Sequence, residues 1–111
     1  NAMRESVIEA YLVARVKALG GEVRKVQWIG RSSAPDRVVM LPERPAHPSN
    51  YRSRLAKSPA GTVWVELKAT GKQATAAQQR EHARMRKMGQ CVEVVDSLER
   101  VDEILKSEGM S

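Results

Sequence analysis

Asp36, Glu66 and Lys68 are the residues of this sequence whose types and spacing could do chemistry. Glu66 and Lys68 lie in Val63-Trp64-Val65-Glu66-Leu67-Lys68, where Val63, Val65 and Leu67 alternate with Trp64, Glu66 and Lys68. That period of two predicts a half-buried strand, and side chains two apart on a strand share a face. A carboxylate beside an ammonium at the end of an apolar strand suits a divalent cation held by Glu66. Lys68 would then sit over the phosphate or water that the cation activates. A hard cation such as Mg²⁺ usually takes one or two carboxylates plus waters and substrate phosphates. Asp36 is the upstream candidate, because Pro35 holds Ala34 extended, lacks a donor and sets Asp36 at the start of the run Val38-Val39-Met40-Leu41. Two neighbouring strands would bring Asp36 and Glu66 to one ion. The plainer alternative makes Asp36 a turn residue and Glu66 and Lys68 an exposed surface pair.

The elements that must position these groups follow from periodicity and punctuation. Glu5 to Leu19 predicts a helix with an apolar stripe of Val7, Ile8, Tyr11, Leu12, Ala14, Val16 and Leu19, closed by Gly20-Gly21. Glu22 to Ile29 alternates as a strand, and Gly30-Arg31-Ser32-Ser33 leads as a loop into Pro35-Asp36. Arg31, Ser32 and Ser33 are placed to touch phosphate. Past the Glu66–Lys68 strand, Thr75 is the expected N-cap of a helix over 76–88 that buries Ala77, the stem of Arg80 or Glu81, Met85 and Met88. Val92 to Val95 reads as a central buried strand. A last helix begins near Ser97, its stripe made by Val101, Ile104 and Leu105. The expected fold is α/β, an αβββαβα order giving a mixed central sheet flanked by helices.

Residues 42–61 have no clear period and hold Pro42, Pro45, Pro48 and Pro59 with Arg44, Arg52, Arg54 and Lys57. Structureless loops beyond about 12–15 residues in a compact domain are usually functional or disordered. The expectation is an inserted basic arm that clamps DNA. Asn1 and Ala2 read as a cloning remnant, leaving 3–111 as one domain.

A net charge of +6 favours an anionic partner, with nucleic acid first, since Lys and Arg neutralise its phosphates. Only 4% of residues are aromatic, which argues against base-stacking platforms and for reading backbone charge and duplex shape. A single cysteine, Cys91, excludes an internal disulfide and fits a reducing cytoplasm. No apolar run approaches the ~20 residues needed to cross a bilayer, so no membrane partner is expected.

Taken in order, Pro35-Asp36, Glu66-X-Lys68 and Gln78 on the following helix resemble the PD-(D/E)XK nuclease superfamily, and within it the virus-type replication-repair nuclease (VRR-NUC) domains. The similarity runs from Arg4-Glu5-Ser6-Val7-Ile8-Glu9 and Gly20-Gly21 to His82 and Gly89. It implies a restriction-endonuclease-like core and a DNA endonuclease dependent on Mg²⁺ or Mn²⁺. Asp36, Glu66, the Leu67 carbonyl and a glutamate of the first helix would hold the ion. That glutamate is Glu5 when matched from the domain start and Glu9 when counted back from the helix-ending glycine. Gln78 would orient phosphate or water. Lys25 matches a lysine frequent in the family, Arg37 and Lys72 are further candidates for DNA contact, and His82 is a candidate for DNA or active-site contact. The family usually carries a glycine near Ser33 or Ala34, and here this chain departs from it. The resemblance also implies branched DNA such as four-way junctions or flaps, a homodimer supplying two sites, and a phage-like recombination or repair role. Two alternatives stay open: a DNA-binding module without turnover, and a structural partner of a replication complex.

Overall fold

The computed structural model describes residues 2–45, 57–58 and 61–107. Helix α1 (Glu5–Ala18) is followed by β1 (Glu22–Lys25), β2 (Arg37–Leu41), β3 (Arg44–Pro45), β4 (Lys57–Ser58) and β5 (Gly61–Leu67). Helix α2 (Ala76–Lys87), β6 (Val92–Val95) and α3 (Leu98–Ser107) complete the chain. The main sheet runs β1-β2-β5-β6. Its first two pairings are antiparallel, while β5 and β6 are parallel and connected through α2. The expected αβββαβα order and mixed sheet are therefore present.

One sheet face carries the core. Val39 and Leu41 of β2, Val63, Val65 and Leu67 of β5 and Val95 of β6 pack against Ile8, Leu12 and Val16 of α1 and Val101, Ile104 and Leu105 of α3. The α1 stripe is narrower than periodicity implied, because only Ile8, Leu12 and Val16, four apart, point straight at the sheet. Val7 and Ala14 are exposed. Tyr11 leans sideways to donate to Asp102 Oδ1 at 2.8 Å, which ties α1 to α3. Gly20 (φ +84°) supplies the left-handed residue that ends α1. At Gly21 an added Cβ would lie 2.3 Å from the Met40 carbonyl oxygen, so only glycine lets α1 turn this tightly into β1.

Three boundaries differ from the sequence reading. The first strand stops at Lys25, since Trp28 turns to donate its indole N–H to the Pro35 carbonyl at 2.8 Å and Ile29 is left in solvent. β6 is not central: among the described residues no strand lies beyond it, so Glu93 and Val94 are only half-buried. The ends of the 42–61 segment are ordered, with Arg44 opposite Ser58 and Pro45 opposite Lys57 as a two-stranded stem. Arg52 and Arg54 lie outside the described residues. Among the described residues no helix is long and apolar enough to cross a membrane.

Candidate active site

The β2–β5 register aligns two of the three singled-out groups. Arg37 pairs with Val65 in an antiparallel ladder, so continuing one step sets Asp36 across from Glu66. Directly opposed residues share a face, with Cβ atoms about 4.5–5.5 Å apart. Lys68 follows on the Glu66 side, and its backbone N–H extends the parallel ladder by donating to Val95 O at 2.9 Å. The loop after Lys68 is pinned to the start of α1: Met3 N donates to Thr70 Oγ1 and Thr70 N donates to Met3 O, both at 3.0 Å. That clasp brings the first turn of α1, with Glu5, to the same sheet end.

Glu66 is 7% exposed, lying on the sheet face that α2 covers. Its pKa is raised to about 7, first by burial and then by the Asp36 and Glu5 carboxylates, against the lowering effect of Lys68 and Arg37. Among the described residues its one close polar partner is His82, whose Nε2 stands 3.2 Å from Glu66 Oε1. His82 is 1% exposed, and burial lowers its pKa, which keeps the ring neutral. When Glu66 is ionised, a neutral imidazole with its proton on Nε2 donates to Oε1. Of the two contacts expected for His82, DNA or active site, its burial against Glu66 fits the second and not a direct DNA contact. The face of α2 that points inward runs through Glu81, His82 and Met85, whereas Met88, past the last helical residue, is 70% exposed. Taking 81, 82 and 85 as the buried positions would have found this histidine.

The two glutamates of α1 divide. Glu9 is engaged by Arg37, whose hydrogen bond is the main cause of Glu9's lowered pKa. Arg37 is itself buried and also pairs with Asp36 Oδ1 at 3.0 Å, so it is an internal strut and not the surface DNA contact expected from sequence. Among the described residues Glu5 has no such clamp, and its charge raises the pKa of Glu66. Gln78 completes a capping box: its Oε1 accepts from Thr75 N at 2.9 Å, and its N–H donates to Thr75 Oγ1 at 3.1 Å. Among the described residues its side-chain amide nitrogen has no partner and is left for substrate.

The other basic candidates scatter. Lys25, Arg31, Ser32 and Lys72 are exposed, and Arg31 is drawn to Glu81 at 2.7 Å. Arg44 and Lys57 sit on the small stem. Ser33 adopts φ 68°, the left-handed region glycine favours, in the Ser33-Ala34 stretch near which the family usually carries a glycine. Ser33 thus keeps a glycine-like backbone without a glycine.

The donors at this end of the sheet are oxygens, the set a hard cation such as Mg²⁺ or Mn²⁺ takes. Among the described residues no three His, Cys, Asp or Glu groups converge closely enough to cage an ion by themselves. Mg²⁺ does not require such a cage, because it keeps several waters and one or two carboxylates suffice. A buried carboxylate whose negative charge is disfavoured by two neighbouring acids is the group a cation would relieve, so the residues fit.

An acid and a lysine on one strand, a second acid across from them and helices on both sheet faces define the restriction-endonuclease-like class of nuclease folds. A solved structure described as a VRR_NUC domain superposes with a TM-score of 0.73 at 35% identity, covering 92% of this chain and 94% of that one. The chain is also 37% identical over 95 residues to "Putative nuclease p44" of Acyrthosiphon pisum secondary endosymbiont phage 1, spanning 86% of this chain and 85% of that protein. No protein-family model matches. At this identity and coverage, the chain belongs to the VRR-NUC nuclease family.

Proposed function

We propose that this chain is a metal-dependent endonuclease that hydrolyses phosphodiester bonds in branched DNA, acting at the Asp36–Glu66–Lys68 end of the sheet. The observation that carries the reading is the β2–β5 register, which ends with Arg37 opposite Val65 and, extended by one residue, sets Asp36 across from a buried Glu66 whose pKa is raised to about 7. Asp36 and Glu66 would bind Mg²⁺ or Mn²⁺ with the Leu67 carbonyl. The Arg37 clamp on Glu9 and the influence of Glu5 on Glu66 support Glu5 as the helix acid, acting directly or through water. When bound, the cation supplies polarisation of a phosphate oxygen and a lowered water pKa. Lys68, whose side chain makes no hydrogen bond or ion pair with another described residue, orients the attacking water or offsets the charge that develops on phosphorus. His82 holds Glu66 Oε1 so that the carboxylate presents one fixed oxygen. The Gln78 amide nitrogen donates to phosphate. A two-fold dimer would present two such sites to a four-way junction.

Incubation with branched and linear DNAs in Mg²⁺, Mn²⁺ or chelator tests the reading. Cleavage is expected only with a cation, first on branched substrates, and lost in Asp36→Ala, Glu66→Ala and Lys68→Ala proteins that keep their native circular dichroism. Wild-type cutting by all three would remove the assignment.

A further inference from the structure

Composition argues against base stacking, yet the fold brings both tryptophans of the chain together. Trp28 and Trp64 pack with ring centroids 5.3 Å apart and planes tilted by 46°, which makes one aromatic wall. Each indole N–H is satisfied inside the protein, Trp28 by Pro35 O at 2.8 Å and Trp64 by Gln90 Oε1 at 3.0 Å. What remains for a ligand is ring face and edge. With Met85 and Met88 they line a cavity of about 290 Å³, near the lower limit of ligand pockets at roughly 300–1,000 Å³. That size suits one planar ring system. Thioethers at its side adapt to such a shape.

The rim is cationic and held in place. Arg31 and Arg84 both bond Glu81 Oε1, at 2.7 and 2.6 Å, so one buried carboxylate orients two guanidiniums and leaves a local excess of one positive charge. The arginine side chains are 50% and 56% exposed, with donors left for an anion. Position ties the cavity to the reaction centre. Trp64 and Glu66 are two apart on β5 and share a face, about 7 Å along the strand at ~3.3 Å per residue. A base in the cavity would belong to a nucleotide within about two steps of the scissile phosphate, taking ~3.4 Å per step.

A second copy of the chain is the competing occupant, since Met88 of the cavity lining is 70% exposed and Ile29, next in sequence to Trp28, lies in solvent. A two-fold interface centred here would set the Arg31–Arg84 rim against its own image, like charge facing like. Nucleic acid complements both halves of the site, stacking on the indoles and pairing with the guanidiniums. We propose that the Trp28–Trp64 cavity binds an unpaired nucleobase of the DNA substrate, with Arg31 and Arg84 taking its flanking phosphate. The proposal rests on the nuclease reading for the identity of the polymer, and deepens it by naming what distinguishes branched from regular duplex DNA.

The two tryptophans are the built-in reporter, and chelator keeps the test independent of cleavage. Intrinsic fluorescence of the full chain is followed as it binds a short oligothymidylate, an abasic strand of equal length and a blunt duplex. The expected result is strong quenching and at least tenfold tighter binding by oligothymidylate than by the abasic strand, with weak quenching by the duplex. Trp64→Leu, checked for a native melt, should erase that preference; if it does not fold, the solvent-exposed Met88→Glu should lower oligothymidylate affinity instead. Equal quenching and affinity for abasic and base-bearing strands would overturn the proposal. So would sedimentation showing a dimer that Met88→Glu dissociates while DNA binding stays unchanged, which would assign the face to a second copy. Base-preferring binding in a protein that never cleaves with any cation would sustain the cavity and defeat the nuclease reading alone.

Discussion

Glu66 and Glu81 are both buried glutamates near the interface of the sheet with α2, and their surroundings drive them in opposite directions. Glu81, 3% exposed, bonds Arg84 and Arg31, and those hydrogen bonds hold its carboxyl below the usual range. Glu66 meets a neutral histidine and two other acids, and burial pushes it up to about 7. Burial alone therefore says little about a carboxylate. The charge of what it touches decides whether it braces the fold or stores an unfavourable charge that a cation can use.

Amide replacements test this contrast most sharply. Glu66→Gln should cut nuclease turnover by about three orders of magnitude, on the scale of losing a principal stabiliser of transition-state charge, while its melting temperature at pH 8 holds or rises. Glu81→Gln should lower the melting temperature, because two neighbouring guanidiniums lose their common anion. Two variants that shift stability in the same direction would break the comparison.

Acidity separates the two sites next. The folded pKa of Glu66 lies above its unfolded value near 4.5, so the native state binds the extra proton. Its contribution to stability is full below about pH 4.5 and is lost as pH rises through about 7, amounting to roughly 3 kcal/mol at about 1.4 per pKa unit. Glu81, with a depressed pKa, contributes above its unfolded value and loses that contribution on acidification. Urea midpoints of the metal-free protein at pH 5 and 8 read the first effect, and subtracting the same pair for Glu66→Gln isolates it. An unchanged pH slope in that variant would show that Glu66 is not the titrating group.

A smaller effect is expected at the histidine that orients Glu66. His82→Leu should raise the cation concentration for half-maximal cleavage by about 10–100-fold, as outer-shell changes at metal sites do. His82→Gln keeps an N–H donor and should recover part of the loss. Equal behaviour of the two would reduce His82 to packing. Smallest is Ser33→Gly, which relieves a left-handed serine at φ 68°. The gain, about 1–2 kcal/mol of strain less about 0.5–1 for added unfolded-state freedom, should lift the melting temperature by a few degrees. A fall instead would mean the Ser33 side chain holds the Pro35–Asp36 turn.

Much of the fold was legible locally. Alternation from Val63 to Lys68, the Ile8, Leu12 and Val16 part of the α1 stripe, Gly20-Gly21, Thr75 as a cap, the start of the last helix near Ser97 and the run after Asp36 are patterns between near neighbours, where backbone sterics and hydrophobic period act directly. Helix α2 was read less well, because Met88 looks apolar enough to be buried and His82 polar enough to be exposed. The end of the helix and the proximity of Glu66 reverse both. The first strand was overextended because nothing local shows that Trp28 will turn to reach Pro35.

What the sequence by itself determined was the set of candidate groups, the elements carrying them and the facing of Glu66, since side-chain direction on a strand follows from a two-residue repeat. Only the tertiary structure decided that Glu9 is engaged by Arg37, that Arg37 and His82 are buried, and that two distant tryptophans share a wall. Those outcomes depend on contacts across many residues of chain, where register and packing, not neighbour-to-neighbour pattern, choose each side chain's partner.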